Sequence, residues 1–223
     1  MGLRRLAIAV LASVFLASHA LPQTVTSSQA TEPSRQTSRP YTGDLSIFES
    51  PDRDKKLQVD RVMDLLDIKE GTNVADIGAG SGWFTVRASK RVGAKGAVIA
   101  EDINPLAIES IGKRIARENL TNIRTVLGKP DDPMLPPGSV DAVLLLKVYH
   151  EIAHPLEFMK NLRPALRNGA KIGIIDRNGN GTDHGLDHQI VEKEMTEAGF
   201  RRFATYDFTK ADGQDYFLIF VAK

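Results

Sequence analysis

Three glycines at alternating positions follow an acidic residue at the end of a short apolar run. Asp76 closes the run, Gly78, Gly80 and Gly82 follow it, and a helix is predicted to begin at Trp83. The pattern therefore predicts a buried strand, a tight loop and a helix in succession. Because glycine adopts positive φ and lets a ligand approach the main chain, such a loop predicts a ligand at the carboxyl end of the strand.

The charge near the glycines indicates which kind of ligand this is. A dinucleotide-binding loop has the pattern G-x-G-x-x-G, and this chain has Trp83 where the last glycine would be. Asp76, two residues before the first glycine, would repel a pyrophosphate and attract a cation. Both features favour a positively charged nucleoside such as S-adenosylmethionine, which carries an ammonium and a sulfonium group.

The segment Asp76-Ile77-Gly78-Ala79-Gly80-Ser81-Gly82 resembles motif I of the class I S-adenosylmethionine-dependent methyltransferases, and the resemblance extends over roughly residues 48–223. It implies an α/β fold: a three-layer, Rossmann-like sandwich with a seven-stranded, mostly parallel sheet in the order 3-2-1-4-5-7-6. It also implies an enzyme that moves a methyl group from S-adenosylmethionine to an acceptor. By the resemblance, Asp76 faces the methionine end of the donor. The main chain of the loop would contact the donor at Gly78, Ala79, Gly80 and Gly82.

Two adjacent acids end the second predicted strand, 97–100, about 20 residues after the glycines. An acid at this place can accept hydrogen bonds from the two ribose hydroxyls, and the residues alone leave the choice between Glu101 and Asp102 open. The resemblance aligns Asp102 with the ribose-binding acid, and we place Ile103 beside it in the donor site.

Two further donor contacts are expected at the ends of later strands. In the resembled family an acid after the third strand, predicted at 123–127, accepts a hydrogen bond from the adenine amino group. Asp131 or Asp132 would fill this role here, and Asp131 is preferred. We also place Lys147, near the end of the fourth predicted strand, among the donor-binding residues.

The segment that follows this strand, His150-Glu151-Ile152-Ala153-His154, matches the zinc-protease pattern H-E-x-x-H. That chemistry needs both histidines on one helix, but the segment follows a long strand and Pro155 disfavours helical geometry at His154. We therefore interpret His150 and Glu151 as candidate catalytic residues at the mouth of the pocket, where either could deprotonate a hydroxyl or amine acceptor. The alternative is that His150 bonds the backbone and shapes the donor site.

The elements that position these residues follow from apolar periodicity and glycine punctuation. The spacing of four residues resembles that of metal ligands: Asp183, His184, Asp187 and His188. A polar loop entering a helix explains them better, so no metal is expected. The predicted helices are 55–66, 83–92, 105–119, 155–166 and 187–198. The later strands are predicted at 140–148, 171–176, 200–208 and 216–222.

Composition bounds the partners and the compartment. The net charge of +1 gives no basic field for nucleic acid, and the absence of cysteine excludes disulfides and thiolate metal sites. Residues 1–20 have the basic start, apolar run and small-x-small site of a secretory signal peptide, so we expect export to the periplasm or the medium. No stable membrane insertion is expected after cleavage, whereas an uncleaved segment would be an anchor.

A disordered tether, 21–44, and a methyltransferase domain, 45–223, would follow the signal. The segment 48–54 resembles a family lead-in that either covers the donor pocket or forms a surface loop. No insert identifies the acceptor, so a small molecule is the default expectation. Two other classes stay open: a donor-binding protein without turnover, and a zinc hydrolase using His150, Glu151 and His154.

Overall fold

The computed structural model describes Gly2 and residues 34–223. The predicted signal peptide and most of the predicted tether lie outside the described residues. Across the described residues, no helix has both the length and the apolar character that crossing a bilayer requires.

Seven strands form one sheet in the order β3-β2-β1-β4-β5-β7-β6. Pairing is parallel among the first five strands, and β7 runs antiparallel to both of its neighbours, β5 and β6. The predicted strand order and the mostly parallel sheet are therefore confirmed. The strands are β1 Asn73–Ile77, β2 Ala97–Asp102, β3 Ile123–Leu127, β4 Val140–Leu146, β5 Leu166–Asp176, β6 Phe200–Tyr206 and β7 Tyr216–Ala222.

Helices cover both faces of the sheet. On β4, Val143 and Leu145 pack into one core cluster with α5 and α6, while Ala142 and Leu144 face the cluster on the other side. This alternation has the period of a strand that is buried on both faces, as its nearly continuous apolar sequence predicts. The helices are α1 Arg53–Leu57, α2 Val59–Leu65, α3 Trp83–Val92, α4 Pro105–Glu118, α5 Pro155–Leu162 and α6 His188–Glu197.

The single helix predicted at 55–66 is wrong, because the chain breaks at Gln58. Gln58 is left-handed, with φ of 53°, and it ends α1 and begins α2. In one continuous helix Leu57 and Val59 would point about 200° apart, whereas the break allows both side chains to be buried. Arg53, the first residue of α1, lines the cavity described below.

The described part of the predicted tether differs from the disorder that its composition predicts. The backbone N–H of Ser34 donates to the carbonyl of Ala153 at 3.0 Å. The Arg35 guanidinium pairs with Glu194 at 2.9 Å, and buried Ser38 donates through its hydroxyl to the carbonyl of Gly181 at 3.0 Å. Residues 34–44 therefore lie against the domain, while the boundary at residue 45 stays a prediction.

Candidate active site

A cavity of about 380 Å³ opens at the carboxyl ends of β1, β2 and β4. Its walls are the glycine loop, the acids that end β2, the residues after β4, and the segment 37–41. The sequence-predicted residues that line it are Asp76, Gly78, Ala79, Gly80, Asp102, Ile103, Lys147 and Glu151. Gly82, Asp131 and His150 do not line it.

The glycine loop turns in the left-handed region, with φ of 63° at Gly78, 54° at Gly80 and 76° at Gly82. A side chain at Gly78 would lie 2.5 Å from a methyl group of Val148, so this glycine lets the loop pass over the end of β4. A side chain at Gly82 would instead press on Ile111 of α4 at 3.2 Å. Gly82 therefore allows the loop to pack against α4. It does not line the cavity, where its backbone contact to the donor was expected.

Both acids that end β2 line the cavity. Asp102 accepts backbone hydrogen bonds from Gly80 and Asn104, each at 2.8 Å, so both of its oxygens are fixed. Glu101 accepts from the N–H of Gly78 at 3.3 Å through Oε2, while its buried Oε1 has no hydrogen-bond partner among the described residues. Glu101 is a site residue that the sequence left as the second choice, and its unpaired oxygen packs against the backbone of Gly128.

Burial of several acids in one cavity determines its electrostatics. Asp76 is 3% exposed and accepts from the Thr85 hydroxyl at 2.6 Å, and burial raises its pKa to about 7. Burial also raises the pKa of Glu101 to about 8 and raises the pKa of Asp102. A cationic ligand would offset the cost of ionising these carboxyls, so the site suits a donor that carries positive charge.

Two basic residues also line the cavity. Arg53 is buried, lies 4.4 Å from the centre of the Trp83 ring, and donates to the carbonyl of Phe48 at 3.1 Å. Lys147 is half-buried and left-handed, with φ of 61°, and burial lowers its pKa. Lys147 was expected in the site from the sequence, whereas Arg53 was not. Arg53 nevertheless lies in the segment 48–54, which resembles a family lead-in.

Asp131, the preferred candidate for the adenine contact, lies outside the cavity lining, and its role stays a prediction. Lys129 and Pro130 line the cavity, but Asp131 does not, and its backbone carbonyl accepts from Asn161 at 2.9 Å. Asp132 folds its carboxylate onto the backbone N–H of Met134 at 2.8 Å. The chain after β3 therefore lines the cavity with Lys129 and Pro130.

The two candidate catalytic residues occupy different positions. Glu151 lines the cavity, and burial raises the pKa of its carboxyl to about 7. His150 lies behind it, with Nε2 3.8 Å from Glu151 Oε1 and Nδ1 2.7 Å from Asp176 Oδ2. The alternative had His150 bonded to the backbone. In the structure its ring instead contacts Asp176, a buried carboxylate at the end of β5.

The zinc-protease geometry is not formed. Tyr149–Glu151 is a single 3₁₀ turn, and α5 begins only at Pro155, so His150 and His154 do not share a helix. The hydrolase alternative therefore lacks the arrangement that it requires.

These features can be compared with known proteins. A sequence model described as a methyltransferase domain matches residues 74–169, which span the glycine loop, the β2 acids and the end of β4. The fold is similar to a SAM dependent methyltransferase from Aquifex aeolicus, with a TM-score of 0.73 and 22% identity over 82% of this chain and 100% of that one. Residues 74–169 thus carry a methyltransferase domain, and the fold around them is that of the class I methyltransferases. The methyl donor of that family is S-adenosylmethionine.

Two curated relatives match less than half of this chain. Nocamycin O-methyltransferase of Saccharothrix syringae is 34% identical over 83 residues, 37% of this chain and 30% of that protein. Protein-L-isoaspartate O-methyltransferase of Pyrococcus horikoshii is 28% identical over 103 residues, 46% of this chain and 45% of that protein. The chain thus spans less than half the length of these two relatives.

Proposed function

We propose that this protein transfers the methyl group of S-adenosylmethionine to an oxygen of a small-molecule acceptor. The observation that carries the proposal is the cavity over β1, β2 and β4, in which a glycine loop meets the buried acids Glu101 and Asp102 at the end of β2. A hydroxyl-bearing nucleoside with a cationic end complements both features.

The residues that would hold the donor divide by charge. Glu101 and Asp102 would accept from the ribose hydroxyls, since an oxygen that already accepts one hydrogen bond keeps a second lone pair. Asp76 would face the ammonium group, and Arg53 would pair with the carboxylate of the methionine end. The backbone at Lys129 and Pro130 would border the adenine. The bound donor supplies an electrophilic methyl group on a sulfonium, which is a good leaving group.

The protein's own contribution to the reaction is mainly alignment, which can supply about 7–11 kcal/mol. The acceptor would enter beside Glu151, the acidic group among the residues that follow β4 and line the cavity. With a pKa of about 7, this carboxylate can take the proton from an acceptor hydroxyl near neutral pH. His150, held by Asp176, supports Glu151 from behind and is assigned a positioning role.

An oxygen acceptor is favoured because both curated relatives described above are O-methyltransferases by name. Their acceptors differ, one name giving a small compound and the other a protein. A small molecule is favoured here because residues 37–41 wall the cavity and leave limited access for a polypeptide. Export remains part of the proposal, and it rests on the sequence of residues 1–20 alone.

Titration of the full chain with S-adenosylmethionine by calorimetry tests the donor site. We expect measurable affinity that falls about tenfold or more in Glu101→Gln and in Asp102→Asn, since each removes a charge-assisted hydrogen bond. Asp131→Asn is the matched control and should bind as the wild type does. Equal binding by all four proteins would contradict the assigned ribose contacts, and a loss confined to Asp131→Asn would restore the original adenine assignment.

Formation of S-adenosylhomocysteine across a panel of hydroxylated compounds and peptides tests transfer. Turnover on small hydroxyl compounds supports the proposal. Turnover on peptides alone would replace the small-molecule acceptor with a protein. Donor binding with no turnover on any acceptor would favour the alternative of a donor-binding protein.

A further inference from the structure

A cluster of three metal-ligating side chains lies at the rim of the donor cavity. His150, Glu151 and His184 each offer one ligand atom, and the three atoms lie within 4.8 Å of one another. Two of these side chains, through His150 Nε2 and Glu151 Oε1, are 3.8 Å apart, a separation that two ligands of one ion can have. We propose that these three residues bind a divalent first-row transition metal ion.

The orientation of His150 supports this assignment. Asp176 accepts from the backbone N–H of His150 at 3.4 Å and from that of Arg177 at 2.9 Å, so its two oxygens act as acceptors. The ring Nδ1 of His150, 2.7 Å from Asp176 Oδ2, therefore donates, and the lone pair is left on Nε2, which faces Glu151. A carboxylate behind the distal nitrogen is the usual support of a histidine that binds a metal.

The third ligand is presented by a loop that is held in place. His184 is left-handed, with φ of 58°, and its backbone N–H donates to the Ser38 hydroxyl at 2.8 Å. Its carbonyl accepts from the Arg177 guanidinium at 3.0 Å. The ring meets that of His150 edge to face, with centroids 5.8 Å apart. Because His184 is exposed, its side chain can rotate the short distance that brings all three atoms onto one ion.

The ligand set selects the kind of ion. Two imidazoles and one carboxylate suit Zn²⁺, Co²⁺, Fe²⁺ or Ni²⁺, whereas Mg²⁺ and Ca²⁺ prefer oxygen ligands throughout. Three protein ligands leave at least one coordination position open, as in metal sites that bind a substrate. Glu151 belongs to both the cluster and the cavity wall, so the open position would face the cavity.

The role of the ion rests on the proposed function. An acceptor hydroxyl bound at the open position would form a metal–oxygen bond, lose its proton to solvent, and present an oxyanion to the methyl group. With the ion bound, Glu151 and His150 are ligands, and neither is needed as a proton acceptor. The site would then select acceptors with an oxygen that coordinates a metal, such as phenols or hydroxy acids.

The test is a titration of the untagged, chelator-treated full chain with Co²⁺, followed by visible absorption and by calorimetry. We expect one equivalent to bind with the absorption of a site containing nitrogen ligands, and Zn²⁺ to displace it. His184→Ala should lower the Co²⁺ affinity at least ~10-fold. The matched control is His188→Ala, which removes a neighbouring histidine that contacts Asn178 rather than the cluster.

Several outcomes would overturn the proposal: no Co²⁺ binding, equal affinity in His184→Ala, or an equal loss in His188→Ala. The donor titration is run on the same proteins. His184 does not line the cavity, so His184→Ala should bind S-adenosylmethionine as the wild type does. Failure of donor binding with intact Co²⁺ binding would refute the proposed function alone, and the reverse result would refute the metal site alone.

Discussion

Replacing Asp76 with asparagine should make the protein more stable at high pH while weakening its donor site. The carboxyl is 3% exposed, and burial raises its pKa from 3.8 to about 7. Asp76→Asn keeps the shape and an oxygen that can accept from Thr85, but it cannot ionise. The wild-type protein must ionise a buried group as the pH rises, and the variant has no such cost.

The sign and size follow from linkage between protonation and folding. Because the folded pKa lies above the unfolded one, the stabilising contribution of Asp76 is complete below pH 4 and is lost as the pH rises to about 7. The shift spans about three units, and each is worth about 1.4 kcal/mol, so the full loss is about 4 kcal/mol. Asp76→Asn should therefore match the wild type near pH 4 and exceed it by about 4 kcal/mol at pH 8.

Urea unfolding of ligand-free protein between pH 4 and pH 8 measures this difference, with the fluorescence of Trp83, the only tryptophan, as the probe. Asp52→Asn, at an exposed position, is the control and should follow the wild type at every pH. Asp76→Asn should also bind S-adenosylmethionine more weakly, since the ammonium group loses its counter-charge. A stability difference that does not change with pH would refute the reasoning.

Two further substitutions test the site from its other sides. Arg53→Met should weaken donor binding ~10–100-fold by calorimetry, because a charge-assisted pair with the donor carboxylate is lost. Arg61→Met, at an exposed position, is the control and should bind the donor as the wild type does. Equal donor affinities of the two variants would contradict the role of Arg53 in the site. Gly78→Ala should destabilise the protein by about 1–3 kcal/mol more than Gly138→Ala in urea unfolding. Both glycines have positive φ, but only at Gly78 would the added carbon meet Val148, so equal losses would contradict the steric reason.

Much of the fold could be predicted because its signals are local. The positions of the strands were predicted from the apolar runs, the turn glycines and the motif around Gly78. Their order in the sheet came from the resemblance. The break at Gln58 was missed because Leu57 and Val59 fit one helical pattern until the surfaces that bury them are known. The start of β5 at Leu166 was missed because 166–170 is mostly polar and pairs with β4 through an irregular register.

Site residues could be predicted from the sequence where they lie directly at the end of a strand and have a single expected role. Asp76 and Asp102 lie at the cavity because strand ends in a parallel sheet meet there. Asp131 lies outside the cavity lining because a loop can turn one residue away while the residues beside it stay at the wall. His184 lies close to His150 although the two are 34 residues apart in sequence, and no spacing pattern predicts this contact.

The wall formed by residues 37–41 belongs to the leading end of the described chain rather than to the sheet, so it can detach without breaking any strand pairing. Arg35, through Glu194, and Ser38, through Gly181, are its main attachments. Residence time of the spent donor should therefore depend on how long these few contacts persist.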